Sequence, residues 1–199
     1  MRSIYKIVVC SLLTLSITSC EKDLLEKEQY QKEIYLIGAY NRVWTTEVSY
    51  SNEEVKTYFT VSSSGTLALD RDVNVKMKIN EELVDIYNKK YWTVLNEDKY
   101  YKSLDTDLYS IPSLENTVIK HAEGISAEVP VLIKTASLKI DQSYVIPVEI
   151  ESTTGYPISE SGYKMLILLK LKNDYSGSYQ MSGHTTLEGE TPKTIQKPK

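Results

Sequence analysis

A strict two-residue alternation of apolar and polar side chains is the feature that most constrains the fold of this chain. It is clearest where Val73, Val75, Met77 and Ile79 alternate with polar residues. Successive side chains of a β-strand point to opposite faces, so one face of this segment is expected to lie on a core and the other in water. A slip of one residue would exchange the two faces, and the pattern therefore fixes the register of the strand.

Similar patterns predict further strands at residues 34–38, 43–50, 55–61, 117–120, 127–135, 144–150 and 163–171. Two of them, 43–50 and 55–61, are separated by a short polar turn and are expected to form a hairpin. Pro130 indicates an edge strand and Pro147 an edge or a bulge, because proline cannot donate a ladder hydrogen bond. The segment 163–171 is apolar on both faces, which predicts a central strand or one covered on both sides.

One segment has helical spacing instead. Residues 80–91 place Leu83, Ile86, Tyr87 and Tyr91 on one stripe, behind Asn80 as a helix-capping residue. About seven short strands, this single short helix and regularly spaced turns predict an all-β protein, an antiparallel β-sandwich.

The N-terminus has the composition of a leader. Residues 1–19 begin with two cations and continue with an uncharged apolar run at 7–17. This run is shorter than the ~20 residues of a membrane-spanning helix and is typical of a signal peptide. Residues 17–20, Ile-Thr-Ser-Cys, resemble the bacterial lipobox, which implies cleavage before Cys20 and a lipid on its sulfur. We therefore expect a lipid anchor in the outer membrane, at the cell surface; the alternative is an ordinary secretory signal.

Cysteine content and charge exclude several classes of site and partner. Cys10 and Cys20 are the two cysteines of the chain, so a mature protein lipidated at Cys20 has no disulfide and no thiolate metal site. The 199-residue chain carries a net charge of -4 and has no basic patch in its sequence. Nucleic acid is therefore not expected as a partner.

Composition also suggests the domain organisation. Residues 20–33 are of mixed charge and free of Pro and Gly, and are predicted to be a tether. Residues 34–173 contain the predicted sandwich. Residues 174–199 shift to Gly, Ser, Thr, Lys and Pro after a strand-like start at 175–181, and are expected to be a disordered tail or the start of a missing second domain.

Several segments together resemble a known domain family. They are Leu-Ala-Leu-Asp at 67–70, Leu-Val-Asp-Ile-Tyr-Asn at 83–88, Leu-Tyr-Ser-Ile-Pro-Ser at 108–113, and the stretches 121–150 and 168–177. Over about residues 30–173, the chain resembles a domain of once-unknown function that stands at the N-terminus of many Bacteroidetes surface lipoproteins.

The resemblance implies an immunoglobulin-like or jelly-roll-like sandwich next to a lipid anchor. In that family the sandwich precedes a lectin-like or other β-rich ligand module, or a family-eighteen glycosidase-type barrel, often in glycan-utilisation systems. No such following domain is recognised before Lys199. The resemblance transfers no catalytic residue to this chain.

An aromatic group is the remaining candidate for ligand binding. Trp92, Tyr100, Tyr101 and Tyr109, with Trp44, could stack on the C–H faces of sugar rings. The alternative is that these rings seal the open end of the sandwich, since large amphipathic rings often cover a core while their polar tips stay wet.

Catalytic and cofactor motifs are not evident, and we expect neither an enzyme nor a cofactor. Ser161 and Lys164 have the spacing of an acyl-transfer serine and lysine, but the partner motifs of that chemistry are missing. His121 and His184 are isolated in the sequence.

The leading hypothesis is a non-enzymatic spacer or adhesion domain of a glycan-binding or glycan-utilisation system. The alternatives are a carbohydrate-binding protein that uses the aromatic loop, and a fimbrial or adhesin-like subunit that binds a surface protein by strand pairing.

Overall fold

The computed structural model describes residues 27–173, residue 175 and two short strands near the C-terminus. Within this part no helix has the length and apolar character needed to cross a membrane. The described residues contain one α-helix, α1, at Glu82–Tyr91. The strands are β1 Ile34–Leu36, β2 Val43–Ser49, β3 Glu54–Ser63, β4 Val73–Ile79, β5 Lys102–Ser103, β6 Tyr109–Ser110, β7 Thr117–Ile119, β8 Ser126–Lys134, β9 Tyr144–Thr153, β10 Lys164–Lys172, β11 Ser182–Thr185 and β12 Lys193–Gln196.

Two sheets form a sandwich, which confirms the predicted fold class. The first sheet has the order β1-β3-β8-β6, and the second has the order β2-β10-β9-β4-β7, with β5 also paired to β9. Most pairs are antiparallel, but β2 runs parallel to β10 and β5 runs parallel to β9. The sandwich is therefore mixed, and not wholly antiparallel as the turns suggested.

The inner faces of the sheets carry the alternating apolar residues. Val73, Val75 and Met77 of β4 are at most 1% exposed, and their polar neighbours face water, so the predicted register of this strand is confirmed. Phe59 of β3 lies in the same core with 2% of its surface exposed. Each such side chain stabilises the fold by about 1.5–3 kcal/mol.

The predicted hairpin between residues 43–50 and 55–61 is wrong. β2 pairs with β10 in the second sheet, while β3 lies between β1 and β8 in the first. The connection crosses from one sheet to the other, and the hydroxyls of Thr46 and Thr57 meet at 2.6 Å between the two strands. Alternation defines the faces of a strand but not its partner, and a short polar link fits either connection.

Pro130 does not lie in an edge strand as its sequence predicted, because β8 is flanked by β3 and β6. It lies in β8 opposite Tyr58 of β3. On the other side of β8, the described ladder with β6 reaches only Leu132 and Ile133. No described strand pairs with β8 at Pro130 on that side, where proline is tolerated.

Pro147 lies in a central strand, and the expectation of an edge is wrong there. It faces Leu166 of β10, and on its other side it falls between the ladder with β5 and the ladder with β4, which begins at Val148. A residue without an N–H is tolerated in such a gap. The irregularity of this sheet lies farther along β9, where the register of β4 shifts between Lys76 and Met77.

The helix begins two residues after Asn80, whose Oδ1 accepts a hydrogen bond of 3.1 Å from the backbone N–H of Glu82. Its buried stripe is rotated from the prediction. Leu83 is buried as expected, but Val84 and Asn88 are the other buried residues, and Ile86 is 52% exposed.

Residues beyond the sandwich are described in part. From Glu28 onward the predicted tether lies against the loop after β3: Glu28 accepts a hydrogen bond of 2.5 Å from the N–H of Thr66, and the N–H of Glu33 donates to Ser64 Oγ at 2.9 Å. β11 and β12 pair with each other. The leader, Cys20 and most of the strand expected at 175–181 lie outside the described residues.

Candidate functional site

The outer face of the second sheet is covered by α1. Leu83 and Val84 form a second buried cluster with Val145 of β9 and Leu166 of β10. The other face of β10 contributes Ile167 to the main core. This confirms that the apolar strand predicted at 163–171 is central and covered on both sides.

Three tyrosines pack together beside this cluster. The rings of Tyr87 and Tyr101 are stacked, 5.2 Å apart between centroids and inclined by 11°, whereas the Tyr91 ring lies 4.5 Å from Tyr87 and is tilted by 35°. Burial, with Tyr101 nearby, raises the pKa of Tyr87 to about 12. Tyr87 therefore stays a neutral hydrogen-bonding group under physiological conditions, while Tyr91 is 49% exposed.

A groove runs between α1 and the start of β10, and we call it the α1–β10 groove. Its volume is about 210 Å³. The third wall is the turn of 3-10 helix at Ala39–Asn41 and the residue after it. Its polar and aromatic lining consists of Tyr40, Arg42, Tyr87, Lys90, Tyr91, Glu160, Ser161 and Lys164.

Cations predominate in this groove. Arg42, Lys90 and Lys164 line it with a single carboxylate, Glu160. None of the three cations forms an ion pair with a described carboxylate. Lys90 Nζ lies 5.3 Å from the centroid of the Tyr91 ring, an attractive cation–π contact. The groove is thus locally basic, although the whole chain has a net charge of -4.

The walls of the groove are built with close backbone contacts. A Cβ placed on Gly162 would lie 2.7 Å from Cβ of Tyr35, so the loop before β10 can pack against β1 only with glycine there. Gly162 also accepts a hydrogen bond of 2.8 Å from the N–H of Leu36.

Trp44, from the predicted aromatic group, packs against the backbone of this region. It lies in β2 with 38% of its surface exposed. Its ring covers Gly38, where a Cβ would come within 2.6 Å of Cε3.

The other predicted aromatic residues are separated from Trp44 and in part from one another. Tyr101 belongs to the tyrosine stack under α1, whereas Tyr109 lies in β6 of the first sheet and packs on the main core. Burial, with the carboxylate of Glu81 as a second cause, raises the pKa of Tyr109 to about 12. Two separate apolar clusters hold these two rings, so they do not form one stacking surface.

Trp92 and Tyr100 follow α1 and are half-buried. Lys99 Nζ lies 5.6 Å from the centroid of the Trp92 ring, and the indole Nε1 is buried without a hydrogen-bond partner among the described residues. Sequence reasoning missed the groove: Arg42, Lys90 and Tyr40 carried no motif, and Tyr87 and Tyr91 were recognised only as a helical stripe.

His121, and Ser161 with Lys164, have surroundings that the sequence did not indicate. His121 is not isolated: its Nδ1 lies 2.6 Å from Oδ1 of Asp72. That contact, first among its causes, lowers the pKa of Asp72. Ser161 and Lys164 both line the groove, but no hydrogen bond joins them in the described structure, and Lys164 Nζ lies over the Tyr163 ring at 4.8 Å. In the described residues no three His, Cys, Asp or Glu side chains could hold a metal ion together.

Solved Bacteroides structures share the fold. A candidate carbohydrate-binding protein from Bacteroides ovatus is 17% identical over 77% of this chain and 40% of its own, with a TM-score of 0.54. An auxiliary nutrient binding protein from Bacteroides thetaiotaomicron is 16% identical over 80% of this chain and 56% of its own, with a TM-score of 0.56. An endoglycosidase from Bacteroides thetaiotaomicron, solved with a Man5GlcNAc product, is 22% identical over 69% of this chain and 30% of its own, with a TM-score of 0.50.

These similarities establish the fold and not the activity. The chain spans between 30% and 61% of the lengths of the Bacteroides proteins of similar structure. No functionally curated protein matches its sequence.

Family models give the assignment. A model described as an N-terminal domain matches residues 30–157, and one described as a C-terminal domain matches residues 163–199. The first match covers more than half of the chain and agrees with the solved Bacteroides structures. The chain therefore belongs to the family that this N-terminal domain model describes, in agreement with the resemblance of its sequence.

Proposed function

We propose that this chain is a non-enzymatic, lipid-anchored domain of a glycan-binding system at the outer-membrane surface, and that it contacts saccharide through the α1–β10 groove. The observation that carries the proposal is this concave surface, in which exposed tyrosine rings lie beside charged and hydroxyl side chains. Ligand sites combine apolar or aromatic walls with a few placed polar groups, and sugar rings offer both kinds of surface.

Relatives of the same fold support a glycan-related role. The carbohydrate-binding and nutrient-binding proteins match this chain over most of its length. The endoglycosidase matches over 30% of its own chain, so most of that enzyme lies outside the shared sandwich. In this chain Ser161 and Lys164 are not hydrogen-bonded to each other, as a serine nucleophile and its base should be.

A tyrosine substitution tests the groove. Tyr91 is 49% exposed beneath Lys90, and Tyr58 on the first sheet is 43% exposed with Lys56 Nζ 5.0 Å from its ring centroid. Tyr91→Ala and Tyr58→Ala are therefore a matched pair. On an array of neutral and acidic glycans, Tyr91→Ala should weaken binding by about fivefold or more, because a packed aromatic ring contact is worth about 1 kcal/mol.

Two results would contradict the groove as the saccharide site. One is equal binding by the two variants; the other is the absence of binding to any glycan by the folded chain. The second result would leave the chain as a spacer between the membrane and a partner domain. Trp92→Ala serves as a further comparison, since it removes a ring of the predicted aromatic loop outside the groove.

The anchor has a separate test. Cys20 follows an apolar leader in a lipobox-like sequence, which supports a lipid on its sulfur. Two or more acyl chains, at about 0.8 kcal/mol for each buried CH₂, would hold the protein on the membrane. Cells fed a clickable fatty acid should label the wild-type chain but not Cys20→Ala, and equal labelling would reject the anchor.

A further inference from the structure

The α1–β10 groove presents unpaired positive charge on an acidic chain. Elsewhere cations are often neutralised by carboxylates: Lys76 Nζ lies 2.7 Å from Glu151, and Lys120 Nζ lies 2.9 Å from Glu123. In the groove three cations face one carboxylate, and no described carboxylate pairs with them. A group of unpaired cations in one concavity attracts an anion, since clefts lined by one sign of charge concentrate the opposite sign.

Arg42 is held in a costly backbone conformation at this site. Its φ is 62°, the one positive φ of a non-glycine residue among those described. Two backbone hydrogen bonds of 2.8 Å hold Arg42 in this conformation. The Arg42 N–H donates to the carbonyl of Ala39, and the Arg42 carbonyl accepts from the N–H of Leu166. Glycine or asparagine adopts this region more easily. Strain of this kind concentrates at ligand sites, where it positions a side chain.

The side chains of the groove differ in the interactions they offer. The planar guanidinium of Arg42 can donate two parallel hydrogen bonds to a carboxylate or sulfate, whereas Lys90 and Lys164 act as point charges. Tyr91 exposes a ring that can face the C–H surface of a pyranose. Glu160, the single carboxylate of the lining, can accept a hydrogen bond from a sugar hydroxyl.

We infer that the α1–β10 groove binds a sugar residue that carries an anionic substituent, a carboxylate or a sulfate. This inference rests on the proposed function and adds the ligand's charge to it. The volume of about 210 Å³ is below the ~300 Å³ of the smallest typical drug-sized sites, so the groove fits one ring of a longer glycan.

The test compares matched ligands. The full chain, purified in mild detergent, is titrated with oligogalacturonate, hyaluronan, 3′-sialyllactose and chondroitin sulfate, and with their neutral partners: methyl-esterified oligogalacturonate, carboxyl-reduced hyaluronan, lactose and desulfated, carboxyl-reduced chondroitin. At least one anionic member should bind about tenfold more tightly than its neutral partner. A preference in the three pairs whose anionic member carries carboxylate alone indicates a carboxylate ligand. A preference confined to chondroitin sulfate indicates a sulfate. Raising NaCl from about 50 to about 500 mM should remove most of that preference, because salt screens exposed charges.

Lysine substitutions locate the site. Lys90→Gln and Lys164→Gln should each lower the ratio of anionic to neutral affinity by about threefold or more, as expected for the loss of one screened charge contact. Lys56→Gln is the matched control, because Lys56 also lies over an exposed tyrosine ring but on the other sheet. Thermal melting of each variant shows whether the fold is intact, and Lys56→Gln and Lys90→Gln should melt like the wild type because both lysines are exposed.

The outcomes separate the two proposals. Equal binding of neutral and anionic partners, with loss in Tyr91→Ala, would overturn the inference about charge and leave a neutral-glycan site. Anionic binding that Lys56→Gln reduces as much as Lys90→Gln would also overturn it, as would equal binding of poly-glutamate, which has charge but no sugar ring. No binding to any member would overturn both proposals.

Discussion

The side chain of Asn88 is hydrogen-bonded twice to the backbone of Tyr101. Its Nδ2 donates to the Tyr101 carbonyl at 2.9 Å, and its Oδ1 accepts from the Tyr101 N–H at 2.9 Å. The backbone of Tyr101, which passes under α1, therefore bonds to a side chain here and not to a neighbouring strand. Asn88 is 4% exposed. The contact holds the ring of Tyr101 against Tyr87, and so supports one wall of the α1–β10 groove.

Asn88→Ala should lower the free energy of unfolding by about 2–3 kcal/mol. The substitution leaves two backbone groups near a buried cluster without partners, and each costs about 1–3 kcal/mol when water reaches it poorly. Urea unfolding gives the value. Asn96→Ala is the control, because Asn96 makes its side-chain contact at the exposed turn after α1. A loss below about 0.5 kcal/mol for Asn88→Ala would show that water replaces both bonds.

Gly38→Ala should destabilise the chain by about 2 kcal/mol or more, for two reasons. Its φ of 90° is unfavourable for alanine, and the new Cβ would lie 2.6 Å from the Trp44 ring. The double variant with Trp44→Ala removes the steric part only. If the clash matters, the loss in the double variant should be smaller than the sum of the two single losses, as measured by urea unfolding. Simple additivity would assign the whole effect to the backbone.

The strands were largely predictable from sequence, and their pairing was not. The alternation at Val73–Ile79 and around Phe59 identified the inner faces, because a buried face with period two admits one register. It gave no information on which strand lies beside which, and β2 therefore appeared as a hairpin partner of β3. The helix shows the same limit at one residue: Asn88 is buried through its bonds to Tyr101, which an apolar stripe cannot reveal.

The candidate site could not be read from local sequence because its walls come from distant segments. Arg42 follows β1, Lys90 lies on α1 and Lys164 begins β10. No spacing rule connects positions so far apart, and only the parallel pairing of β2 with β10 brings the first and last of them together. For the predicted aromatic group the reverse holds, because residues that are near in sequence lie apart in the fold. Tyr101 and Tyr109 pack in different clusters.

The central position of β10 predicts how the chain tolerates truncation. The strand carries Met165, Ile167 and Leu169 into the main core and Leu166 into the second cluster. Their loss would remove about 6–12 kcal/mol of burial, comparable with the whole stability of a domain. A chain ending at residue 162, between the two family matches, should not unfold cooperatively on heating, whereas one ending at residue 173 should. Cooperative unfolding of both, followed by circular dichroism, would contradict the central role of β10.

Acid should release the contact between Glu28 and the loop after β3. The ammonium of Lys32, and then the backbone N–H groups of Thr66 and Leu67, lower the pKa of Glu28 from 4.5 to about 2. A carboxyl with a lowered pKa in the folded state stabilises the fold above its unfolded pKa, and this contribution is lost as pH falls from about 4.5 to about 2. The amide resonance of Thr66 should therefore titrate with a midpoint near 2 and not shift in Glu28→Gln. A midpoint near 4.5 would mean that residues 28–33 are not docked against the loop after β3 in solution.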